Sequence, residues 1–247
     1  MRFDVRIFPD RESAGATGAG MAAAIIRETL KHRDEMSVVF ASAVSQDPFL
    51  AALRSERDIP WHRIVAFHMD EYAGMSGDHP ASFRRFLREK LFKHVRARAF
   101  HQLNGEAEDP DAECSRYGSL LESARPQLAI MGIGENGHVA FIDPPVCDFQ
   151  EPRLVRPVEL DDICRMQQVR DGAFSKLQDV PKRALSLTTK TFLQIPNALV
   201  FVNGEHKAAA VRDAVEGPIS EACPASILRR HRNASLFLDA GAASLLG

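Results

Sequence analysis

Short apolar runs alternate with helix-period segments along this chain, and that alternation predicts its architecture. Phe3 to Phe8 alternates apolar and polar residues, and Arg11 to His32 carries Ala, Ile and Leu at helical spacing, so the opening reads strand then helix. Gly15, Gly18 and Gly20 weaken the first half of that helix. A second unit follows, with a β-branched run from Ser37 to Ala41, a Ser42-Ala43-Val44-Ser45 link and a helix from about Asp47 to Arg57. The third strand, Arg63 to Phe67, delivers His68-Met69-Asp70-Glu71-Tyr72 at its carboxyl end. A polar loop from Gly74 to Pro80 then precedes a helix from Ala81 to about His94, with Phe83, Phe86, Leu87 and Leu91 on one face.

Asp109 to Ser123 reads as the next helix, and Gln127 to Met131 as a strand buried on both faces. An irregular passage containing Pro144, Pro145 and Pro152 follows it. Leu154 to Val158 and Ala184 to Leu187 suit short strands on either side of a helix from Asp161 to Phe174. Ala198 to Val202 is the last deeply buried strand by composition, Gly204-Glu205-His206-Lys207 leads into a helix to about Val215, and Ser235 to Leu238 closes the sheet. With no internal repeat and no linker-like shift, residues 1–247 are expected to form a single α/β domain: one doubly wound, mainly parallel sheet with helices on both faces. Such sheets bind ligands at the carboxyl ends of their strands. The loops after Ala41, Phe67, Met131 and Val202 should therefore meet if their strands are central neighbours.

Composition narrows the function classes. A formal charge of −2 gives no global attraction to nucleic acid or anionic lipid, so an anionic substrate must be met locally. No apolar run approaches a membrane span, and Met1-Arg2-Phe3-Asp4 opens a strand-like segment without a signal-peptide core, so a cytoplasmic location is expected. Cys114, Cys147, Cys164 and Cys223 form no C-x-x-C pair and read as reduced, mostly buried thiols.

The chemistry concentrates in Met131 to Pro145, MGIGENGHVAFIDPP. Gly132, Gly134 and Gly137 let a strand turn sharply and lay its amides against a ligand, and His138 sits on that turn. Asn136 and Asp143 are near enough in sequence to fix its tautomer. Locally, a tight glycine loop with a satisfied surface histidine is the alternative reading. Asp70 and Glu71 after a buried strand offer a general base if one faces a cleft while the other serves the scaffold. His68, Asp70 and His79 raise a metal reading, but no third ligand has diagnostic spacing, and no metal is expected. Lys207, at a helix start, suits a phosphate; Arg165 and Arg170 cannot both face one way, and Ser42 and Ser45 can offer hydroxyls or cap their own loop.

With Phe67-His68-Met69-Asp70-Glu71-Tyr72 and Gly132-Ile133-Gly134-Glu135-Asn136-Gly137-His138-Val139-Ala140-Phe141 placed, the chain resembles the glucosamine-6-phosphate deaminases. The likeness continues through Asp78-His79-Pro80 with Ser82, Leu103-Asn104-Gly105, Arg165-x-x-Gln168-x-Arg170, Val180-Pro181, Lys207-Ala208 and Val215-Glu216-Gly217. The related 6-phosphogluconolactonases share the glycine-histidine turn but usually lack the Met-Asp-Glu-Tyr wording. The resemblance implies conversion of an amino-sugar phosphate to a ketose phosphate and ammonia, without metal or organic cofactor. It implies that His138 opens the sugar ring, Asp70 moves the C2 proton to C1 through an enolamine, Asn136 and Asp143 orient the histidine, and Arg170 and Lys207 bind phosphate.

Three departures stand out. Ser42-Ala43-Val44-Ser45-Gln46 replaces the family's Gly-Gly loop, so the phosphate is expected to be held differently. Asp143 stands where glutamate is common and should reach His138 only by a backbone shift or through water. The chain ends soon after the last strand, and no effector control is expected. The expected partner is a small sugar phosphate, with neither nucleic acid nor membrane involved and with a homo-oligomer left open. Two alternatives remain: a 6-phosphogluconolactonase-like hydrolase, with His138 activating water, and a non-catalytic sugar-phosphate sensor.

Overall fold

The computed structural model describes residues 3–247; Met1 and Arg2, part of the strand-like opening read from the sequence, lie outside the described residues. Seven strands form one parallel sheet: β1 (Asp4–Phe8), β2 (Met36–Phe40), β3 (Ile64–His68), β5 (Ala99–His101), β6 (Leu128–Met131), β9 (Asn197–Val202) and β10 (Ala234–Asp239). Their order is β1-β10-β9-β6-β2-β3-β5, with parallel pairing at every step. The doubly wound sheet is therefore present. The loops after β9, β6, β2 and β3 leave four consecutive central strands, and their meeting at one edge follows.

Strand alternation divides the core by face. Val38, Phe40, Leu128, Ile130, Leu199 and Phe201 pack with α1 (Arg11–Leu30), α2 (Asp47–Ser55) and Leu87 of α3 (Phe83–Leu87). Their alternates, among them Val39, Phe67, Met131, Val200 and Leu236, pack with α4 (Pro110–Ala124), α6 (Thr189–Gln194) and α7 (Ala208–Val215). The α1 glycines do not break the helix, and close packing requires two of them, Gly15 and Gly18. A Cβ on Gly18 would lie 2.3 Å from the Phe201 ring, so this side of α1 approaches the sheet more closely than alanine allows.

A second sheet was not foreseen. Its antiparallel strands are β4 (Asp70–Tyr72), β8 (Arg183–Leu187) and β7 (Val155–Glu159), in the order β4-β8-β7. The chain passes from β3 of the large sheet to β4 of the small one across Met69, whose carbonyl accepts from Leu187 N at 2.8 Å. His68 and Asp70 consequently do not share one strand face. Tyr72, Phe141, Leu160 and Phe174 build a third apolar cluster beneath the small sheet and beside α5 (Asp162–Arg170).

Other boundaries also move. The helix expected from Ala81 to His94 is a short α3 followed by a π turn at Arg88–Phe92, and α5 stops at Arg170 rather than Phe174. β10 does not close the sheet at an edge; it lies between β1 and β9 and is as deeply buried as β9. Among the described residues, no helix is long and apolar enough to cross a membrane.

Candidate active site

Asp70, at the start of β4, and His138, on the turn after β6, line the same cavity at the carboxyl edge of the central strands. Ser42 and Ser45 form its wall from the loop after β2, and Lys207 enters from the turn before α7. The turn is shaped by its histidine. A Cβ on Gly134 would overlap the His138 ring at 2.0–2.3 Å, and Gly137 takes φ +81°, where other residues are strained.

Contacts behind the imidazole determine its tautomer. His138 Nδ1 lies 2.8 Å from Asn136 Oδ1 and 3.0 Å from Asp143 Oδ1. Asn136 Nδ2 itself donates to Asp143 Oδ1 at 3.0 Å, so both oxygens facing Nδ1 are acceptors. Nδ1 must therefore carry the proton, and Nε2, which has no protein partner among the described residues, is the basic nitrogen. Asp143 reaches the ring directly, so of the two routes expected for its shorter side chain the bridging water is not used. Burial pushes the Asp143 carboxyl up, but the bonds from His138 and Asn136 outweigh it and hold the group below its ordinary value.

The two adjacent carboxyls divide their work. Glu71 is fully buried and accepts from Ser82 Oγ at 2.8 Å, Arg84 Nε at 3.0 Å and the backbone N–H of Arg84 at 3.1 Å. It ties β4 to the start of α3 and belongs to the scaffold. Asp70 is also buried but faces the cavity, and burial, reinforced by repulsion from Glu71, raises its carboxyl well above the ordinary range. A carboxyl in that condition exchanges a proton readily with a carbon acid held against it.

Among the described residues His68 and Asp70 form no cluster of metal-ligating atoms, and His68 Nε2 accepts from Leu103 N at 2.8 Å in the core. Among the described residues, His138, Asp143 and Cys164 are the cluster whose donor atoms lie within 4.8 Å of one another, and two of these are already committed to the imidazole contact.

Lys207 is buried, donates from Nζ to Ile133 O at 3.1 Å, and is pushed below the ordinary amine range by that burial. Arg165 is structural, bonded to Asp162 and to the carbonyls of Leu177 and Val180. Arg170 is absent from the cavity wall; its guanidinium is paired with Glu135. Sequence reasoning missed Gln46, Gln167 and Gln168, which do line the cavity. Gln46 is fully buried and donates from Nε2 to Met131 O at 3.3 Å; a glutamine among the small residues of that loop was the available signal.

A family model described as glucosamine-6-phosphate isomerases/6-phosphogluconolactonase matches residues 9–237. The chain belongs to this family. Among its relatives, a glucosamine-6-phosphate deaminase of Exiguobacterium sibiricum is 31% identical over 220 residues, covering 89% of this chain and 85% of the relative. One from Bacillus thuringiensis is 32% identical over 221 residues, covering 90% and 82%. A solved monomeric glucosamine-6-phosphate deaminase superposes with a TM-score of 0.91 at 30% identity, covering 98% of this chain and 99% of that one. The 6-phosphogluconolactonase of Thermotoga maritima shares the fold, with a TM-score of 0.77 at 20% identity over 96% of this chain and 99% of its own. As a member of this family the chain is an enzyme.

Proposed function

We propose that this enzyme converts a 2-amino-2-deoxyhexose 6-phosphate, glucosamine 6-phosphate or a close relative, to the ketose 6-phosphate and ammonia. The observation that carries the reading is the convergence of a buried carboxyl, Asp70, and a tautomer-fixed imidazole, His138, on one cavity. His138 Nε2 takes the proton from the anomeric hydroxyl and returns it to the ring oxygen, opening the pyranose. Asp70 then removes the C2 proton and delivers it to C1 through an enolamine; water adds at C2 and ammonia leaves. Asn136 and Asp143 keep Nε2 basic; Ser42, Ser45 and Lys207 supply the phosphate end from the cavity wall, and Arg170 joins them by leaving Glu135.

Lactone hydrolysis needs an activated water at His138 but gives a buried, proton-poised Asp70 no task. The deciding experiment incubates purified protein with glucosamine 6-phosphate, galactosamine 6-phosphate and 6-phosphogluconolactone, following ammonia and ketose phosphate or lactone loss. Ammonia release reduced roughly 10²–10⁴-fold by Asp70→Asn is the expected result. Lactone turnover indifferent to that substitution refutes the proposal, as does ligand binding without any product.

A further inference from the structure

We infer that Glu135 is a specificity-determining residue: it holds Arg170 away from the cavity and admits it to a ligand only when that ligand brings enough negative charge to replace the carboxylate. The inference rests on the reading of Lys207 and Arg170 as the phosphate end of the site.

Glu135 occupies the glycine turn between Gly134, which lines the cavity, and Asn136, which holds His138. Its backbone N–H donates to Gln167 Oε1 at 3.0 Å, joining the turn to α5. Its side chain is only 16% exposed and meets Arg170 with both carboxylate oxygens, Nε to Oε1 at 3.2 Å and a second, shorter contact from the other guanidinium nitrogen to Oε2. A two-point contact of this kind satisfies the guanidinium fork as a phosphate would. The Nε–Nη2 fork is thereby occupied, and a phosphate that takes the same two donors must displace the carboxylate.

Lys207 is subject to the same charges. Asp171 and Glu135 favour its ammonium while Arg170 opposes it, and the Lys207 Nζ bond to Ile133 O ties it to the glycine turn. Two cations and two carboxylates therefore neutralise one another around the cavity edge. A monoanion offers Arg170 no more charge than Glu135 already does, whereas a phosphate dianion offers twice as much. The loop after β2 brings the hydroxyls of Ser42 and Ser45 to the cavity but no positive charge. Selection of a phosphorylated sugar thus falls to an exchange of partners on Arg170.

The test measures inorganic phosphate binding at pH 8 by calorimetry in the full-length protein and in Glu135→Gln, Arg170→Met, the corresponding double variant and Lys207→Met. Glu135→Gln is expected to bind phosphate roughly tenfold more tightly than the unaltered protein, and the gain should shrink to roughly threefold or less in the Arg170→Met background. An equal gain in both backgrounds, or none in either, overturns the exchange. If phosphate binds nowhere, or binds regardless of Lys207→Met, the anion site itself is wrong and the exchange falls with it. Glu135→Ala, with thermal unfolding of each variant, repeats the comparison should the glutamine variant fold poorly.

Discussion

Lowering the pH should destabilise this fold through a histidine that takes no part in the chemistry. His68 is fully buried at the end of β3, and its Nε2 accepts from the Leu103 backbone N–H at 2.8 Å. Protonation would set an N–H against an N–H. Burial first, and the nearby Arg84 guanidinium second, depress its pKa to about 3. The unfolded chain protonates this side chain near pH 6.5, so below that value the unfolded state binds a proton that the native state refuses, and stability falls as the pH drops from about 6.5 towards 3. Between pH 7.5 and 5.0 the linkage costs about 2 kcal/mol at 25 °C. The assay is urea unfolding of the native sequence and of His68→Asn at both pH values. The variant's absolute stability is immaterial, since only its pH dependence is compared. The native protein should lose about 2 kcal/mol more than the variant on acidification. Equal losses would refute the claim that His68 is held neutral.

Three further outcomes follow from the packing and the site. Asp143→Asn should lower kcat roughly 10²–10⁴-fold while leaving the fold intact, because an amide can present N–H to His138 Nδ1 and favour the wrong tautomer; unchanged kcat would dismiss the orienting role. Gly18→Ala should destabilise the protein by about 1–3 kcal/mol despite alanine's better helix propensity, since its methyl meets the Phe201 ring. A raised thermal midpoint would contradict the close approach of α1. Ser82→Ala should weaken the β4–α3 junction by about 1–3 kcal/mol, measured by denaturant unfolding, because it removes a hydrogen bond from buried Glu71.

The central strands were legible because β2, β3, β6 and β9 are short, apolar and buried on both faces, a pattern that admits few other structures. β4 was not, because Asp70-Glu71-Tyr72 is polar in composition and becomes a strand only by pairing with β8, far along the chain. β5 and α6 are too short for their periodicity to register. The glycine turn and the acidic pair were visible from residue type. Residue type alone did not say which acid faces the cavity, since that depends on Ser82 and Arg84 capturing Glu71; the family resemblance pointed to Asp70. Arg170 likewise had the right residue type, and its pairing with Glu135 across 35 positions left no local trace.

The position of β10 between β1 and β9 bears on how the polypeptide is made. β1 leaves the ribosome long before β10, the strand it pairs with, Asp4 lying opposite Ser235. Until Ala234–Asp239 appear, β1 has no neighbour to join, and a nascent chain must keep that segment from mispairing while all the intervening residues are made. Stalling or premature termination before this point would release a chain whose β1 has no strand to pair with, making it a target for chaperones and proteases.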